Sequence, residues 1–485
     1  IVEIGGGTDF IDAFSVLVKR LAVERIHIVG DFFDRGDRPD GILDLLMEHP
    51  SVDIQWGNHD IVWMGAACGN RPCIANIVRM NVSYNNFDML EYGYGINLRP
   101  LATRAQQIYG DDPCTGFMPH VLEKNRFDPI PEELAAKMHK MIAIIQFKVE
   151  GQTIMAHPEY KLDHRLLLDK IDFGNGTVNC YGETYPIKDV NLPTIDPKDP
   201  YRLTPEEEQV MVALEASIVN SAKLQEHIDF LYSHGSLFTT CNGNLLFHGC
   251  IPFTEDGDFM EVTIGGKTNH GAALMKQLDH SLREAYFNPG EGVDKADAAN
   301  LMWYLWLGPD SPLFGKDKMT TFERLFIEDK ATHKEHTVPY YKLINDKDIC
   351  IKIIRDFDLD PTKGIILNGH VPVKIKDGES PIKGEGKLIV IDGGISKAYQ
   401  KTTGIAGYTF IFNSWFMALS EHEPYHPLQP DGTQEFNNPN IVTTMTLPER
   451  MLIIDTDIGK MLQSQIDDLL QLNAEFRKGT IKEVY

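Results

Sequence analysis

Two short polar motifs near the start of the chain combine residue types that hold metal ions and act on phosphate. The first is GDFFDRG at residues 30–36, which contains Asp31, Asp34 and Arg35. The second is GNHD at residues 57–60, which contains Asn58 and His59. Either motif alone is typical of a turn, since Asp, Asn and Gly favour turns. Both follow apolar runs, however, and charges placed there cost free energy unless opposite charges meet them.

Hydrolysis of a phosphate ester explains this combination of residues. Two metal ions about 3.5–4 Å apart can clamp the attacking and leaving oxygens of such a reaction. A single aspartate can bridge the two ions, and Asp31 is placed for that role, while Asn58 offers an amide oxygen. His59 can act as general acid with its ring oriented by Asp34, and the planar fork of Arg35 suits phosphate oxygens. Together the motifs indicate a binuclear metallophosphoesterase.

Two histidines that follow later apolar runs are the predicted remaining metal ligands. NLLFHGCIP contains His248, and GIILNGHVPVK contains His370. His157, in QTIMAH, also follows an apolar run and is a rival for the earlier position. We favour His248 because the Gly after it allows close backbone approach, but the sequence leaves this choice open. The remaining histidines in polar segments are predicted to be solvated, namely His234, His422 and His426.

The elements that must position these residues follow a helix–strand–loop rhythm. A capped helix with an apolar stripe precedes the strand IHIVG at residues 26–30, and a helix from Pro39, with Ile42, Leu45 and Leu46 inward, precedes the strand at residues 52–56. This order predicts a mostly parallel sheet, whose ligands bind at the carboxyl ends of the strands. Further strands are predicted for QTIMAH and for residues 244–249, 364–370, 387–394 and 408–416, and further helices for residues 131–146 and 206–231.

The rest of the chain divides into an insertion and a tail. A Pro- and Asp-rich stretch, LPTIDPKDPYRLTPEEE, suggests that residues 160–235 are inserted between two halves of one core, residues 1–159 and 236–450. Residues 451–485 form the tail. Its apolar residues recur at helical spacing, which predicts a helix that packs on the core. They are Ile458, Leu462, Ile466, Leu469 and Phe476.

Composition excludes several classes of partner. The formal net charge of -24 argues against a nucleic-acid partner, which requires a basic face. No apolar run approaches the roughly 18 residues of a membrane span. The 7 cysteines are odd in number and form no CxxC pair, which favours reduced thiols in a cytoplasmic enzyme. The composition does not decide whether the chain forms a homo-oligomer.

Six segments distributed over nearly the whole chain resemble class III fructose-1,6-bisphosphatase, a bacterial metallophosphoesterase related in its core to the phosphoprotein phosphatases. They are HIVGDFFDRG, DIQWGNHD, NLLFHGCIP, WYLWLGPDSPLFGK, LNGHVPVK and VIDGGISKAYQKTTGIAGYT. The resemblance implies an α/β fold with a four-layer core, in which helices flank two mixed sheets, and helical insertions. It also implies two divalent ions, of the Mn²⁺ type, and gluconeogenic cleavage of the 1-phosphate of a small sugar bisphosphate.

The resemblance also assigns roles to individual residues. Asp31 would bridge the ions, and Asn58, His248 and His370 would complete one metal site. Asp34, Arg35 and His59 would be catalytic. An Asp-x-His motif that precedes Asp31 in this superfamily is absent here, so we expect an N-terminally truncated chain with one metal site complete, the other half complete, and little activity of its own.

The second phosphate of a sugar bisphosphate lies beyond the reach of the metal site and needs further cations. The first candidates are Lys397 and Lys401, in DGGISKAYQKTTG, and the second are Lys316, Lys318 and Arg324. An ordinary solvated surface role is an equally good interpretation of these residues. Three alternatives to the sugar phosphatase stay open: a protein serine/threonine phosphatase, a dinucleoside polyphosphate hydrolase and a non-catalytic relative.

Overall fold

The structure is a computed structural model that describes residues 7–121, 130–287, 293–392, 394–424, 440–447 and 449–482. The α-helices of these residues are α1 (Gly7–Ala22), α2 (Pro39–Met47), α3 (Asn58–Ala67), α4 (Arg71–Ser83), α5 (Arg99–Ile108), α6 (Glu132–Ala156), α7 (Pro205–Val219), α8 (Ala222–His234), α9 (Gly271–Phe287), α10 (Val293–Leu307), α11 (Thr321–Phe326), α12 (Tyr340–Leu343), α13 (Lys347–Asp356), α14 (Lys397–Thr403) and α15 (Asp457–Lys478). The strands are β1 (Ile26–Ile28), β2 (Val52–Gln55), β3 (Ile171–Asp172), β4 (Thr177–Cys180), β5 (Glu183–Pro186), β6 (Gly235–Ser236), β7 (Phe238–Cys241), β8 (Asn244–Phe247), β9 (Val262–Ile264), β10 (Lys267–Asn269), β11 (Ile366–Asn368), β12 (Ile382–Lys383), β13 (Leu388–Val390), β14 (Tyr408–Phe412), β15 (Phe416–Glu421) and β16 (Asn440–Thr446).

Two sheets carry the strands that precede the predicted site residues. The first has the order β1-β2-β6 and is parallel. The second has the order β12-β13-β11-β8-β7, with β13, β11 and β8 parallel and the outer strands antiparallel. Smaller sheets join β3 to β5, β9 to β10, and β14 to β16. The predicted mixed α/β class is confirmed.

The strands that lead into the motifs form because their apolar residues are buried on both faces. Val52 and Ile54 of β2 are 7% and 0% exposed, and they pair with Ile26 and Ile28 of β1. All four residues of β8 and all three of β11 are buried. Continuous apolar burial is typical of a parallel strand that is covered on both sides. The strands predicted at 26–30, 52–56, 244–249, 364–370 and 387–394 are therefore confirmed, with shorter bounds.

The predicted strand QTIMAH is wrong, because helix α6 continues through it to Ala156. Residues 135–151 of α6 are all buried, so this part of the helix has no exposed face that would reveal the helical period, and exposed residues return only at 152, 155 and 156. Gly151 makes room for a ring, since a Cβ there would lie 2.1 Å from Cδ1 of Tyr201. The two fully buried lysines of the helix are matched by carboxylates: Lys140 Nζ lies 2.6 Å from Asp112 Oδ2, and Lys148 Nζ lies 2.6 Å from Glu207 Oε2.

The inward face predicted for α2 is also wrong. Of the three residues predicted to face inward, Ile42 and Leu45 are 50% and 70% exposed. The third, Leu46, is half-buried against the core as predicted, and Leu43 is fully buried. Polar contacts explain the different rotation, because the carboxylate of Asp44 lies 2.8 Å from Lys223 Nζ and 3.0 Å from His227 Nε2. These contacts hold α2 against α8 by its polar side.

Two predicted elements are interrupted by side chains that cap backbone groups. The helix predicted over 206–231 is two helices, α7 and α8, and the hydroxyl of Ser221 between them accepts a hydrogen bond from Leu224 N. The strand predicted over 408–416 is a hairpin of β14 and β15. Asn413 Oδ1 accepts hydrogen bonds from the backbone N–H groups of Trp415 and Phe416, which forms the turn.

The tail helix α15 forms as predicted but does not pack on the core. Leu469 and Phe476 on its apolar face are 64% and 40% exposed. Its first turn alone is fastened to the second sheet, where Asp457 Oδ2 accepts a hydrogen bond from Asn242 N in the β7–β8 turn. The apolar stripe of α1 is exposed as well, with Phe14 at 55%. Helical periodicity predicted both helices but not what contacts their apolar faces.

Three observations on the described residues bear on the composition arguments. No described helix combines the length and apolar character needed to cross a bilayer. All seven cysteines are described, and none forms a disulfide with another. Residues 160–235 contain the β3–β5 sheet together with α7 and α8, and their division from the core stays a prediction.

Candidate active site

The predicted metal ligands converge on Asp31 from the strand ends of the two sheets. Asp31 follows β1 and Asn58 follows β2 in the first sheet, while His248 follows β8 and His370 follows β11 in the second. Asp31, His248 and His370 each offer a ligand atom within 4.8 Å of the others, and Asp31, Asp34 and His59 form a second such group. Asp31 is therefore common to two clusters that could each hold a cation.

The two histidines direct their remaining ring nitrogens to one point. His248 Nδ1 donates to the carbonyl of Val29 at 2.6 Å, and His370 Nε2 donates to the carbonyl of Phe314 at 2.8 Å. His248 Nε2 then lies 3.1 Å from His370 Nδ1 and 3.2 Å from Asp31 Oδ2. Two lone pairs and a carboxylate oxygen facing each other repel unless a cation or a proton joins them. Ring nitrogens fixed by backbone carbonyls are typical of metal-binding histidines.

Asn58 supports the same interpretation. Its side chain is 4% exposed, and its Oδ1 is buried without a hydrogen-bond partner among the described residues. An unpaired buried amide oxygen costs free energy, so native proteins supply a donor or an ion. Amide oxygen, carboxylate and imidazole are together a donor set that suits a divalent transition-metal ion. These residues fit the divalent cations that the sequence predicts.

The buried carboxylate of Asp60 holds the two motif loops together, a role that sequence reasoning missed. Its oxygens accept hydrogen bonds from the backbone N–H groups of Asp31, Phe32 and Gly57 at 2.8, 2.9 and 2.9 Å. A Cβ on Gly57 would lie 2.1 Å from Asp31 Oδ1, so only glycine fits there. Asp31 itself has a φ of 61°, a conformation that is disfavoured for any residue but glycine. The last position of GNHD was the available signal for Asp60.

Asn368 joins the two histidine loops in the same way. Its Nδ2 donates to the carbonyls of His248 and Gly249 at 2.8 and 2.7 Å, and its Oδ1 accepts from the hydroxyl of Tyr340 at 3.1 Å. Asn368 is 1% exposed. His370 follows with a φ of 70°, which turns its ring back toward Asp31. The spacing of residues in the sequence did not predict these hydrogen bonds of Asn368.

Asp34, His59 and Arg35 lie on the open side of Asp31. His59 Nε2 is 3.1 Å from Asp34 Oδ1, and Arg35 Nε is 3.5 Å from the same oxygen. The backbone N–H of His59 donates to Asp31 Oδ1 at 3.1 Å, and the ring of His59 meets the Trp306 ring edge-on at 4.8 Å. The structure therefore places a histidine, with a carboxylate and an arginine beside it, next to the shared aspartate.

The guanidinium of Arg35 lies between two aromatic rings that sequence reasoning did not connect with it. It is 5.2 Å from the Tyr84 ring centroid and 4.7 Å from that of Tyr399. Cation–π contacts of this kind orient an arginine without using its N–H donors. Those donors stay available for phosphate oxygens.

The charges of the cluster shift pKa values in opposite directions. Burial alone would raise the pKa of Asp31, but His248 and His59 outweigh it and hold the pKa below its usual range. Burial lowers the pKa of His248, yet Asp31 more than compensates and raises it to about 9. Burial and the neighbouring His248 lower the pKa of His370 to about 3. Asp31 thus stays ionised and draws positive charge into the cluster.

A cavity of about 640 Å³ adjoins these groups. Its walls include Asp31, Asp34, His248, Asp392 and Tyr399. Burial and the charge of Asp31 raise the pKa of Asp392, which follows β13, to about 6. This volume is in the usual range for a small-molecule site, and three of the four predicted metal ligands, Asp31, His248 and His370, lie in its wall.

The cations suggested for a second phosphate are dispersed. Lys316 Nζ and Arg324 NH2 lie 2.9 and 3.5 Å from the carboxylate of Glu335, and Lys318 Nζ lies 3.8 Å from the centroid of the Tyr181 ring. Lys397 is exposed at the start of α14. The side chain of Lys401 lies outside the described residues.

The structure separates His157 from the cluster. It follows the last turn of α6, where Nδ1 lies 2.8 Å from Glu159 Oε1 and Nε2 accepts from Asn300 Nδ2 at 3.0 Å. His248 is the histidine brought to Asp31. His234 is exposed, as predicted, whereas His422 is half-buried and bonds to Thr409 Oγ1 at 2.7 Å. His426 lies outside the described residues.

Comparison with known proteins agrees with the resemblance in the sequence. The Firmicute fructose-1,6-bisphosphatase family matches residues 1–478. The chain is 51% identical over 485 residues to the class 3 fructose-1,6-bisphosphatase of Clostridium tetani (strain Massachusetts / E88), a match that covers 100% of this chain and 73% of that protein.

Two further relatives give the same result. The class 3 fructose-1,6-bisphosphatases of Clostridium botulinum (strain Alaska E43 / Type E3) and Clostridioides difficile (strain 630) are each 50% identical over 488 residues, covering 100% of this chain and 74% and 73% of theirs. No solved structure matched. The match over nearly the whole chain, together with this identity, shows that the chain belongs to the Firmicute fructose-1,6-bisphosphatase family.

Proposed function

We propose that this chain hydrolyses the 1-phosphate of fructose 1,6-bisphosphate to give fructose 6-phosphate and inorganic phosphate, in gluconeogenesis. The observation that carries the proposal is the convergence of two imidazoles on Asp31, in a chain that matches this family over residues 1–478. The unpartnered amide oxygen of Asn58, which follows β2, supports it. The adjoining cavity of about 640 Å³ is large enough for a sugar bisphosphate.

We propose that Asp31 and the residues around it would hold two divalent cations. Asn58, His248 and His370 would hold one of them with Asp31, and Asp34 would contribute to the other. Mn²⁺ is favoured over Mg²⁺ because imidazole ligands suit softer ions than carboxylate and water do. When bound, such cations supply a nucleophile at neutral pH and stabilise the charge that develops on the phosphoryl oxygens.

The chain's own residues bind the phosphate and move the proton. Arg35 directs its free N–H donors at the phosphate oxygens while Tyr84 and Tyr399 fix its plane. Asp34 orients the ring of His59 through Nε2 at 3.1 Å. Nδ1 of His59 is buried without a hydrogen-bond partner among the described residues, and it is the atom we assign to protonate the departing sugar oxygen.

We further propose that the two sheets form the four-layer core of the metallophosphoesterases, with helices on their outer faces. Residues 160–235 would then be an insertion between residues 1–159 and 236–450, followed by the tail. Two features support this arrangement: each sheet supplies ligands from the carboxyl ends of parallel strands, and the segment 160–235 has its own small sheet. A cytoplasmic location stays a prediction from the cysteine content.

The test is phosphate release from a panel of substrates in the presence of Mn²⁺. Fructose 1,6-bisphosphate is expected to be hydrolysed with the highest kcat/KM, ahead of a phosphoserine peptide and a dinucleoside polyphosphate. Removing the metal with a chelator should abolish activity, and Mn²⁺ should restore it. The matched control is His59→Asn, which keeps the metal ligands but is expected to lose about 100-fold in kcat. The chain's turnover is expected to be low but above that of His59→Asn. Preference for the peptide or the dinucleotide would refute the sugar substrate, and turnover no higher than that of His59→Asn would refute the catalytic role.

A further inference from the structure

Helix α4 carries an arginine whose charge is not matched by a carboxylate. Arg79 is half-buried, and its Nε donates to Oε1 of Gln146 at 2.6 Å. Among the described residues, no carboxylate oxygen lies within 4.0 Å of its guanidinium. No hydrogen bond to the two terminal nitrogens of Arg79 is found among the described residues. A partly buried charge without a counter-ion is costly, so this guanidinium calls for an anion.

The nearby carboxylate of Glu150 is already used by other groups. Its Oε2 accepts from Arg165 NH2 at 2.7 Å, and its Oε1 accepts from Asn76 Nδ2 and Gln146 Nε2 at 2.8 and 2.9 Å. Glu150 is therefore paired with Arg165 rather than with Arg79. Burial, together with the charges of Arg165 and Arg35, outweighs the effect of Glu150 and Tyr84 and lowers the pKa of Arg79 to about 10.

The position of Arg79 relative to the catalytic residues follows from α4. Asn76, one turn before Arg79 on the same face of the helix, accepts a hydrogen bond at 3.2 Å from Nε1 of Trp306, whose ring touches His59. Tyr84, directly after α4, lies under the guanidinium of Arg35. Arg79 therefore lies along α4 between Asn76, which contacts His59 through Trp306, and Tyr84, which contacts Arg35.

The guanidinium is also held in place before any ligand binds. Gln146 is fully buried, and its amide is fixed at both ends, by Arg79 through Oε1 and by Glu150 through Nε2. By contrast, Lys316 and Arg324 are neutralised by Glu335. Of these cations, Arg79 is the one whose orientation is fixed and whose charge is unmatched among the described residues.

We propose that Arg79 binds the phosphate of the sugar bisphosphate that is not cleaved, and that Gln146 is the positioning residue for its guanidinium. This inference rests on the proposed function, because it assigns the second anionic group of that substrate. Arg79 then determines specificity: it distinguishes a bisphosphate from a monophosphate, whereas the chemistry at the other end of the sugar is the same for both.

The experiment compares fructose 1,6-bisphosphate with fructose 1-phosphate, which lacks the second phosphate, for the wild type and Arg79→Gln with Mn²⁺ present. Loss of a charged contact to phosphate should lower kcat/KM for the bisphosphate about 10- to 100-fold, chiefly by raising KM. The kcat/KM for fructose 1-phosphate should change less than about twofold, so the preference for the bisphosphate collapses. Arg71→Gln is the matched control on the same helix, since Arg71 is paired with Glu208 and Glu215.

An equal loss with both substrates, or no loss with the bisphosphate, would overturn the role of Arg79. A wild type that hydrolyses neither substrate would instead overturn the proposed function. Arg79→Lys keeps the positive charge but loses the paired N–H donors of the guanidinium. This variant replaces Arg79→Gln if Arg79→Gln does not fold. Its inhibition constant for the product fructose 6-phosphate should rise, while its inhibition constant for inorganic phosphate should stay unchanged; the opposite pattern would also overturn the proposal.

Discussion

Two imidazoles fixed by backbone carbonyls face one aspartate, and this arrangement decides the chemistry of the site at the scale of single residues. His248 and His370 each donate one ring N–H to a backbone carbonyl, and their other ring nitrogens lie 3.1 Å apart. Neither nitrogen can satisfy the other when both rings are neutral. A divalent cation beside Asp31 resolves this conflict, and a proton does so only for one of the two rings.

Removal of His248 should therefore remove metal binding. We expect His248→Ala to weaken Mn²⁺ binding at least about 100-fold, because a ligand and its fixed lone pair are both lost. Isothermal titration of the metal-free chain with Mn²⁺ measures this change. His157→Ala is the control, since that ring contacts Glu159 and Asn300 instead. If His157→Ala lost the metal and His248→Ala kept it, the assignment of the ligands would be reversed.

The residues that carry chemistry could be predicted from the sequence, while those that hold them in place could not. Asp31, Asn58 and His59 belong to local motifs, so short spacing alone identifies them. Asp60 and Asn368 act through backbone groups of loops that are distant in sequence. Their contacts depend on how the two strand ends meet, which no local pattern encodes.

At the scale of elements, the pairing of β1 with β2 also places two titratable side chains side by side. His27 and Asp53 are register partners, and His27 Nδ1 lies 2.6 Å from Asp53 Oδ2. Burial lowers the pKa of His27, but the contacts with Asp53 and Cys241 more than compensate and raise it to about 9. The unfolded value is about 6.5, so the folded chain binds more protons between these two pH values.

Stability should consequently fall as the pH rises from about 6.5 to 9. The contribution of His27 is fully present below pH 6.5 and is lost above about 9, with an upper limit of about 3 kcal/mol. Urea unfolding of the wild type and His27→Gln at several pH values measures it as the difference between the two proteins. The control is His280→Gln, which alters an exposed histidine on α9. A difference between wild type and His27→Gln that grows with pH would contradict this sign.

The errors in predicted elements share a cause at this scale. The strand predicted for QTIMAH is the end of α6, because the buried residues 135–151 that precede it show no helical period. In α2, Asp44 contacts with Lys223 and His227 set the rotation, and these partners lie in another helix. Periodicity locates elements, but contacts with distant elements decide their type and orientation.

At the scale of the whole molecule, the packed core contrasts with two helices that expose their apolar faces. Helix α15 contacts the second sheet at its first turn, and Leu469 in its middle is 64% exposed. In contrast to Leu469, Leu214 of α7 is fully buried in the core. The two leucines therefore differ in their surroundings.

We expect Leu469→Ala to change the free energy of unfolding by less than about 0.5 kcal/mol. Leu214→Ala, the matched control, should cost about 2–5 kcal/mol because it opens a cavity in the core. Urea unfolding at two protein concentrations measures both. A large cost for Leu469→Ala that depends on concentration would show that a second copy covers this face in solution.

Asp31 follows a strand of the first sheet and both imidazoles follow strands of the second. An ion bound by these residues would therefore also link the two sheets. Its affinity is then part of the folding free energy of the molecule, since the unfolded chain holds these ligands far apart. Scarcity of the metal would therefore shorten the lifetime of the folded protein as well as abolish its activity. Catalysis and folded-state stability would both depend on the supply of one metal.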